Sequence, residues 1–197
     1  MSDFKNSKTA LNLMKAFAGE SQARMRYTYY AKVAKKQGYK QIANIFKETA
    51  DNEKEHAKLF YKKLLEHGMN EEVIILNGAG YPVALSDETL KNLQYAANGE
   101  KEEWTELYPQ FAAVADEEGY KDVAAVFRLI AKVEEKHEKR YSKLAQNIKD
   151  DTVFKKSSKV GWKCLNCGFV VDNDHAPDEC PACKHPKDYF EVLAENY

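Results

Sequence analysis

A chain of 197 residues, 44% hydrophobic and 31% charged, has room for one ordinary domain, or for one domain and a small module, with a core and a well-solvated surface. Lys plus Arg number 30 and Asp plus Glu 31, so there is no basic field to attract nucleic acid and no polybasic patch to hold a membrane. Met1 to Glu20 mixes charged and polar residues among its apolar ones and lacks a secretory h-region, and no run approaches the roughly 20 apolar residues of a membrane span. A cytoplasmic location is expected.

The helical pattern predicts a first helix from Lys8 to Gln37, with Ser7 as its N-cap and Gly38 at its end. A second runs from Lys40 to His67 and stops at Gly68. Residues 69–85 form a long connection: Val73 to Leu76 is apolar, and Asn77-Gly78-Ala79-Gly80-Tyr81-Pro82 breaks any helix. A connection of this length can cross a bundle. Ser86 is expected to cap a third helix that reaches Glu118 before Gly119, and a fourth spans Lys121 to Lys149.

The two helix pairs repeat each other. Gly38-Tyr39-Lys40 matches Gly119-Tyr120-Lys121, Ile42 to Phe46 matches Val123 to Phe127, and Gly19-Glu20 matches Gly99-Glu100. The repeat implies a pseudo-twofold four-helix bundle over residues 1–149. Residues 150–160 are polar around Phe154 and read as a linker. Residues 161–197 are rich in Cys, Pro, Gly and Asp and too short for a core of their own; a module of that size needs a metal or disulfides.

On the fourth helix the inward stripe is Val123, Phe127, Ile130, Glu134, His137, Tyr141, Leu144 and Ile148. On the second it is Ile42, Phe46, Thr49, Glu53, His56, Phe60 and Leu64. In each, a Glu-x-x-His replaces two apolar positions. Glu20 lies one heptad before Tyr27 on the first helix, and Glu100 and Glu103 lie between Leu93 and Leu107 on the third. One Glu-x-x-His alone reads as a surface ion pair or a satisfied core histidine. Two at matching places in a repeat, each preceded by a helix bearing Gly-Glu, read differently. Several buried carboxylates at one level of a bundle require cations. One Glu from each of two helices and a Glu-x-x-His from each of the other two is the ligand set of ferritin-like di-iron and di-manganese proteins. Here it comprises Glu20, Glu53, His56, Glu100, Glu134 and His137. Oxygen and imidazole donors suit iron or manganese.

The repeat is broken at one place. Glu20 to Gly38 is 18 residues (38 − 20), whereas Glu100 to Gly119 is 19 (119 − 100). The second copy also contains Pro109, which cannot donate the helical hydrogen bond. One extra residue in a continuous helix predicts a π-bulge. Glu103 stands where the first copy has Ala23, on the same face as Glu100, and so offers a seventh ligand.

All four cysteines lie in two C-x-x-C pairs, Cys164/Cys167 and Cys180/Cys183. In a reducing compartment they read as one tetrahedral sulfur site rather than disulfides. Spacing does not choose between zinc, which would make the tail structural, and a single iron, which would make it a one-electron carrier.

These residues together resemble rubrerythrin over nearly the whole chain. The resemblance rests on Ala18-Gly19-Glu20-Ser21, Glu53-Lys54-Glu55-His56, Asn98-Gly99-Glu100 with Glu103, and Glu134 to His137 followed by Glu138-Lys139-Arg140. It extends to Trp162-Lys163-Cys164 and to Cys180-Pro181-Ala182-Cys183 with Lys184 to Lys187. It implies a ferritin-like bundle with a long crossover, followed by a rubredoxin-like iron module. The implied activity is a non-haem di-iron peroxidase that protects against oxidative stress. The rubredoxin-like iron would pass electrons to the two irons, and hydrogen peroxide would become water. Reducing equivalents would come from NAD(P)H through a separate reductase or a rubredoxin. The family forms homodimers in which the module of one chain lies near the di-iron site of the other. By the same resemblance Glu53 and Glu134 are bridging carboxylates. Glu20 and His56 serve one iron and Glu100 and His137 the other. Glu103 is an extra ligand exchanging with His56, and Tyr27 and Tyr108 stand beside the site. Zinc can replace iron in the cysteine site.

Competing readings are an iron-storing ferroxidase, a zinc-tailed interaction protein and an oxygenase. An attached one-electron donor argues against the first, the buried carboxylates against the second, and the lack of an evident substrate pocket in the sequence against the third.

Overall fold

The computed structural model describes residues 3–196; Met1, Ser2 and Tyr197, the outermost residues of the two expected units, lie outside that range. A short 3-10 turn, Phe4–Asn6, leads into α1 (Lys8–Lys36). The Ser7 side chain accepts from the Ala10 N–H at 3.0 Å, the expected cap. α2 (Lys40–Glu66) returns antiparallel to α1. At the turn Gly38 takes φ +81°, which L side chains rarely adopt, while the Tyr39 N–H closes back on the Ala34 carbonyl at 2.9 Å. The second pair repeats the device, with Gly119 at φ +90° and the Tyr120 N–H on the Ala115 carbonyl at 2.7 Å.

The crossover after α2 has no helix or strand until α3 (Thr89–Glu102). Ser86, the expected cap, does not cap α3. α3 begins three residues later, and its capping acceptor comes from another helix end: the Gln37 side-chain oxygen accepts from the Thr89 N–H at 2.7 Å and from its hydroxyl at 2.6 Å. Ser86 is held instead by the Asn92 side chain. A π-helical turn, Glu103–Leu107, follows α3 directly and runs into α4 (Tyr108–Glu117). This is the π-bulge that the extra residue required. α5 (Lys121–Lys149) completes the bundle.

Two apolar clusters fill the bundle. One is built around Tyr27, Tyr30, Phe46, Leu93 and Tyr141, the other around Leu13, Phe60, Leu64, Tyr108, Phe127 and Ile130. Among the described residues no helix is long and apolar enough to cross a membrane.

The C-terminal module is a three-stranded antiparallel sheet of order β2-β1-β3, with β1 Lys155–Cys164, β2 Val170–His175 and β3 Phe190–Val192. Residues 155–160, expected to be linker, therefore form the first half of β1. Trp162 is fully buried and donates its indole N–H to the Asn173 carbonyl at 3.0 Å. The module packs on the start of α2. Lys40 pairs with Asp188 at 2.6 Å and sits over the Tyr189 ring at 4.0 Å, and Tyr39 stacks on Phe154.

Candidate metal centres

In the middle of the bundle α1, α2, α3 and α5 each bring a glutamate inward, and Glu20, Glu53, Glu100 and Glu134 are all at most 1% exposed. Two groups of donor atoms form, each with its members within 4.8 Å of one another: Glu20, Glu53, His56 and Glu134, and Glu53, Glu100, Glu134 and His137. Glu53 and Glu134 belong to both. The helical i, i+3 spacing on α2 and α5 puts each Glu and its His on one face. All six residues expected from the sequence are brought together.

The contacts are close but are not aligned as hydrogen bonds. His56 Nδ1 lies 2.8 Å from Glu53 and 2.9 Å from Glu134, and His137 Nδ1 lies 2.7 Å from Glu134. Yet both Nδ1 atoms, both oxygens of Glu53 and of Glu134, and one oxygen each of Glu20 and Glu100 have no hydrogen-bond partner. Orphaned buried acceptors are costly. Lone pairs that converge on common points without bonding each other fit cations, and the oxygen and imidazole donor set fits iron.

Electrostatics give the same answer. Burial, then the charges of Glu134, Glu103 and Glu53, push the Glu20 carboxyl well up; burial, then Glu53, Glu134 and Glu103, do the same to Glu100. Burial by itself would pull the two imidazoles down, but the Glu134 and Glu53 carboxylates push His56 up to about 10 and His137 to about 9. Burial would raise Glu134, but the two imidazoles beside it hold it at about 2.

Two tyrosines tie the outer carboxylates. The Tyr27 hydroxyl donates to Glu100 at 2.6 Å, and the Tyr108 hydroxyl donates to Glu20. Tyr27 follows Glu20 by seven residues (27 − 20) and Tyr108 follows Glu100 by eight (108 − 100). The π-turn absorbs the extra residue, so both hydroxyls reach inward. Glu103, in that turn, lies outside both donor groups. It still lies close enough for burial, then Glu134 and Glu53, to push its carboxyl up to about 8. Sequence reasoning missed Arg26, one residue before Tyr27. Its Nε and Nη1 are buried without partners, and it reads in sequence as one more cation on a solvated face.

In the C-terminal module the four cysteine sulfurs form a third group, with Cys164–Cys183 and Cys167–Cys180 sulfur distances of 3.7 Å. The two knuckles are built alike. The Gly168 N–H bonds the Cys164 carbonyl and the Lys184 N–H the Cys180 carbonyl, both at 2.9 Å, with Gly168 at φ +78° and Lys184 at φ +62°. Burial would raise the Cys183 thiol, but the His185 N–H and the neighbouring thiols lower it to about 6. No disulfide forms. A tetrahedral sulfur set of this kind fits a single iron.

Residues 12–145 match the family model for rubrerythrin, and residues 162–191 match that for the rubrerythrin rubredoxin-like domain. The chain is 58% identical to rubrerythrin-1 of Clostridium acetobutylicum and 57% identical to a rubrerythrin of Clostridium perfringens, in both cases over 100% of each chain. Among solved structures it resembles partially reduced nigerythrin, with a TM-score of 0.63 and 32% identity, over 95% of this chain and 90% of that one. It also resembles a bacterioferritin of Desulfovibrio desulfuricans with a di-iron site, with a TM-score of 0.62 and 25% identity, over 74% of this chain and 82% of that one. With a carboxylate–histidine di-iron site in a ferritin-like bundle and a four-cysteine rubredoxin-like module, the chain belongs to the rubrerythrin family of iron-using oxidative-stress proteins.

Proposed function

We propose that this protein reduces hydrogen peroxide to water, with electrons entering at the four-cysteine site. The observation that carries the reading is the pairing in one chain of a two-cation carboxylate layer with a thiolate site suited to one-electron transfer. A storage ferroxidase has no use for the second. Two ferrous ions bound in the bundle would supply an electron pair, and one peroxide, taking up two electrons and two protons, would yield two waters.

The residues divide the work. Glu53 and Glu134, shared by both donor groups, would hold two cations, and Glu20 with His56, and Glu100 with His137, would complete the two ends. Tyr27 and Tyr108 fix the Glu100 and Glu20 carboxylates by donating to them. Glu103, outside both donor groups but beside them, would be held as an additional ligand in exchange with His56.

The module sits at the start of α2, and Lys40 precedes Glu53 by thirteen residues (53 − 40), about 20 Å of helix. Electron tunnelling falls steeply with distance. This separation favours delivery to the bundle of a second chain in a homodimer, with the module re-reduced by an NAD(P)H-dependent reductase or a rubredoxin in the cytoplasm. The test is anaerobic stopped-flow mixing of the reduced, iron-loaded protein with excess peroxide. Both iron sites should reoxidise, with peroxide consumed in a two-electron stoichiometry. Reoxidation no faster than by dissolved oxygen would remove the reading.

A further inference from the structure

A cavity of about 360 Å³ lies between α1 and the α3–π-turn–α4 segment, beneath the crossover. The roof is residues 78–82, and the Tyr81 hydroxyl fastens it by donating to the Lys15 carbonyl at 3.2 Å. The floor includes Glu103 and Tyr108, and Tyr108 donates directly to Glu20. Gly19 and Gly99, the residues preceding Glu20 and Glu100, both line it. A Cβ at Gly99 would stand 3.9 Å from Arg26 Nη2, and one at Gly19 would stand 4.0 Å from the Tyr81 ring. Either methyl would fit, but a longer side chain would occupy the cavity. The glycines that mark the repeat thus keep space open beside each ligand.

Arg26 lines the same space, and its Nε and Nη1 are buried without a hydrogen-bond partner. A guanidinium cannot discharge by losing its proton, and unmet buried donors carry a standing cost. No ion pair joins Arg26 to Glu103 within 4.0 Å among the described residues, although its charge opposes the rise of the Glu103 carboxyl. The cavity is therefore lined by the Arg26 guanidinium on one side and by the Glu103 carboxyl on the other. A second depression, of about 240 Å³, reaches His137 from another side of the bundle, but it is shallow and lined by Glu48, Lys136 and Arg140.

We propose that the cavity under the crossover is the vestibule through which the oxidant reaches the metals, and that Arg26 is the recognition group selecting peroxide over dioxygen. The assignment rests on the peroxide reading above. Hydrogen peroxide accepts and donates hydrogen bonds at both oxygens, so it can take N–H groups of Arg26 while giving an O–H to Glu103. Dioxygen is apolar, donates nothing and accepts weakly, and gains little from either group. A site built around a hydrogen-bonding partner discriminates strongly against an analogue lacking those groups.

The experiment compares the reduced, iron-loaded wild type with Arg26→Met, Arg26→Lys and Ala79→Trp, the last placing bulk in the roof. The second-order rates of oxidation by peroxide and by dioxygen are measured, together with the on-rate of azide at the oxidised bundle site. Arg26→Met should slow peroxide at least tenfold and leave dioxygen within twofold; Arg26→Lys should recover part of the loss. Ala79→Trp should slow peroxide and azide together, while Glu48→Trp, in the other depression, should slow neither. The melting temperature of metal-free Arg26→Met should equal or exceed that of the wild type, because two buried N–H groups without partners are removed. A purely structural arginine would lower that temperature and slow both oxidants alike, which overturns the recognition role. Unchanged azide on-rates in Arg26→Met and Ala79→Trp overturn the vestibule. If the wild type shows no preference for peroxide but azide entry is slowed in both variants, the peroxide reading and with it the recognition role fall, and the vestibule stands.

Discussion

The Tyr27 hydroxyl on α1 donates to Glu100 on α3 at 2.6 Å, and its repeat counterpart Tyr108 on α4 donates to Glu20 on α1. Each half of the duplicated bundle thus holds the outer carboxylate of the other half. Groups that orient metal ligands typically govern affinity or activity by roughly 10–100-fold. Tyr27→Phe and Tyr108→Phe should each lose bundle iron to a chelator at least tenfold faster than wild type, with the helical circular dichroism unchanged. Equal rates of iron loss would mean that the hydroxyls only fill the core.

Glu103→Ala should still bind two irons in the bundle, because the six residues of the two donor groups remain. Peroxide turnover should fall at least tenfold, a barrier change of about 1.4 kcal/mol. Loss of a negative charge beside the irons should also raise the di-iron reduction potential. Iron content, potential and turnover are to be measured on one preparation. Full loading with unchanged potential and turnover would show that the carboxylate takes no part.

Metal loading should release protons. In the metal-free layer His56 and His137 are raised to about 10 and 9 and Glu103 to about 8, and burial followed by the neighbouring carboxylates raises Glu20 and Glu100, so the layer holds protons more tightly than the free groups would. Cations displace these protons, so apparent affinity should rise as pH rises towards 8. Ferrous titration calorimetry in buffers of different ionisation enthalpy gives the count. A buffer-independent heat would contradict the prediction.

Glu118 caps α1 from the far end of the second pair, accepting from the Lys8 and Thr9 N–H groups at 3.0 and 2.8 Å and from the Thr9 hydroxyl at 2.6 Å. Burial alone would raise its carboxyl, but these donors hold it below the usual carboxylate range. A depressed carboxyl stabilises the fold above its unfolded-state value of about 4.3, and that contribution disappears as pH falls through the folded value. Glu118→Ala should therefore cost about 1 kcal/mol at pH 7, in the range for a lost helix cap. The difference from wild type should shrink steadily below pH 4 in urea melts. A pH-independent difference would assign the effect to packing instead.

The chain's own periodicity determined much of this molecule. The steps of three and four along 123–148 and 42–64 put Glu53, His56, Glu134 and His137 on inward faces, because helical spacing is a local property. The count between Glu100 and Gly119 specified the π-turn for the same reason, since one residue too many must be absorbed somewhere along a continuous helix. The paired C-x-x-C motifs announced the sulfur site, because each knuckle is formed by adjacent residues. What the sequence left open involves elements distant in the chain. Gln37 rather than Ser86 caps α3 because the end of α1 packs beside it. Residues 155–160 are strand because Lys155 and Val160 find partners in β2. Arg26 looks like a surface cation until the crossover, some fifty residues away, folds beside it and forms the other wall of a shared cavity. Burial is a property of what covers a residue, and for these positions the covering chain is brought in only by tertiary packing.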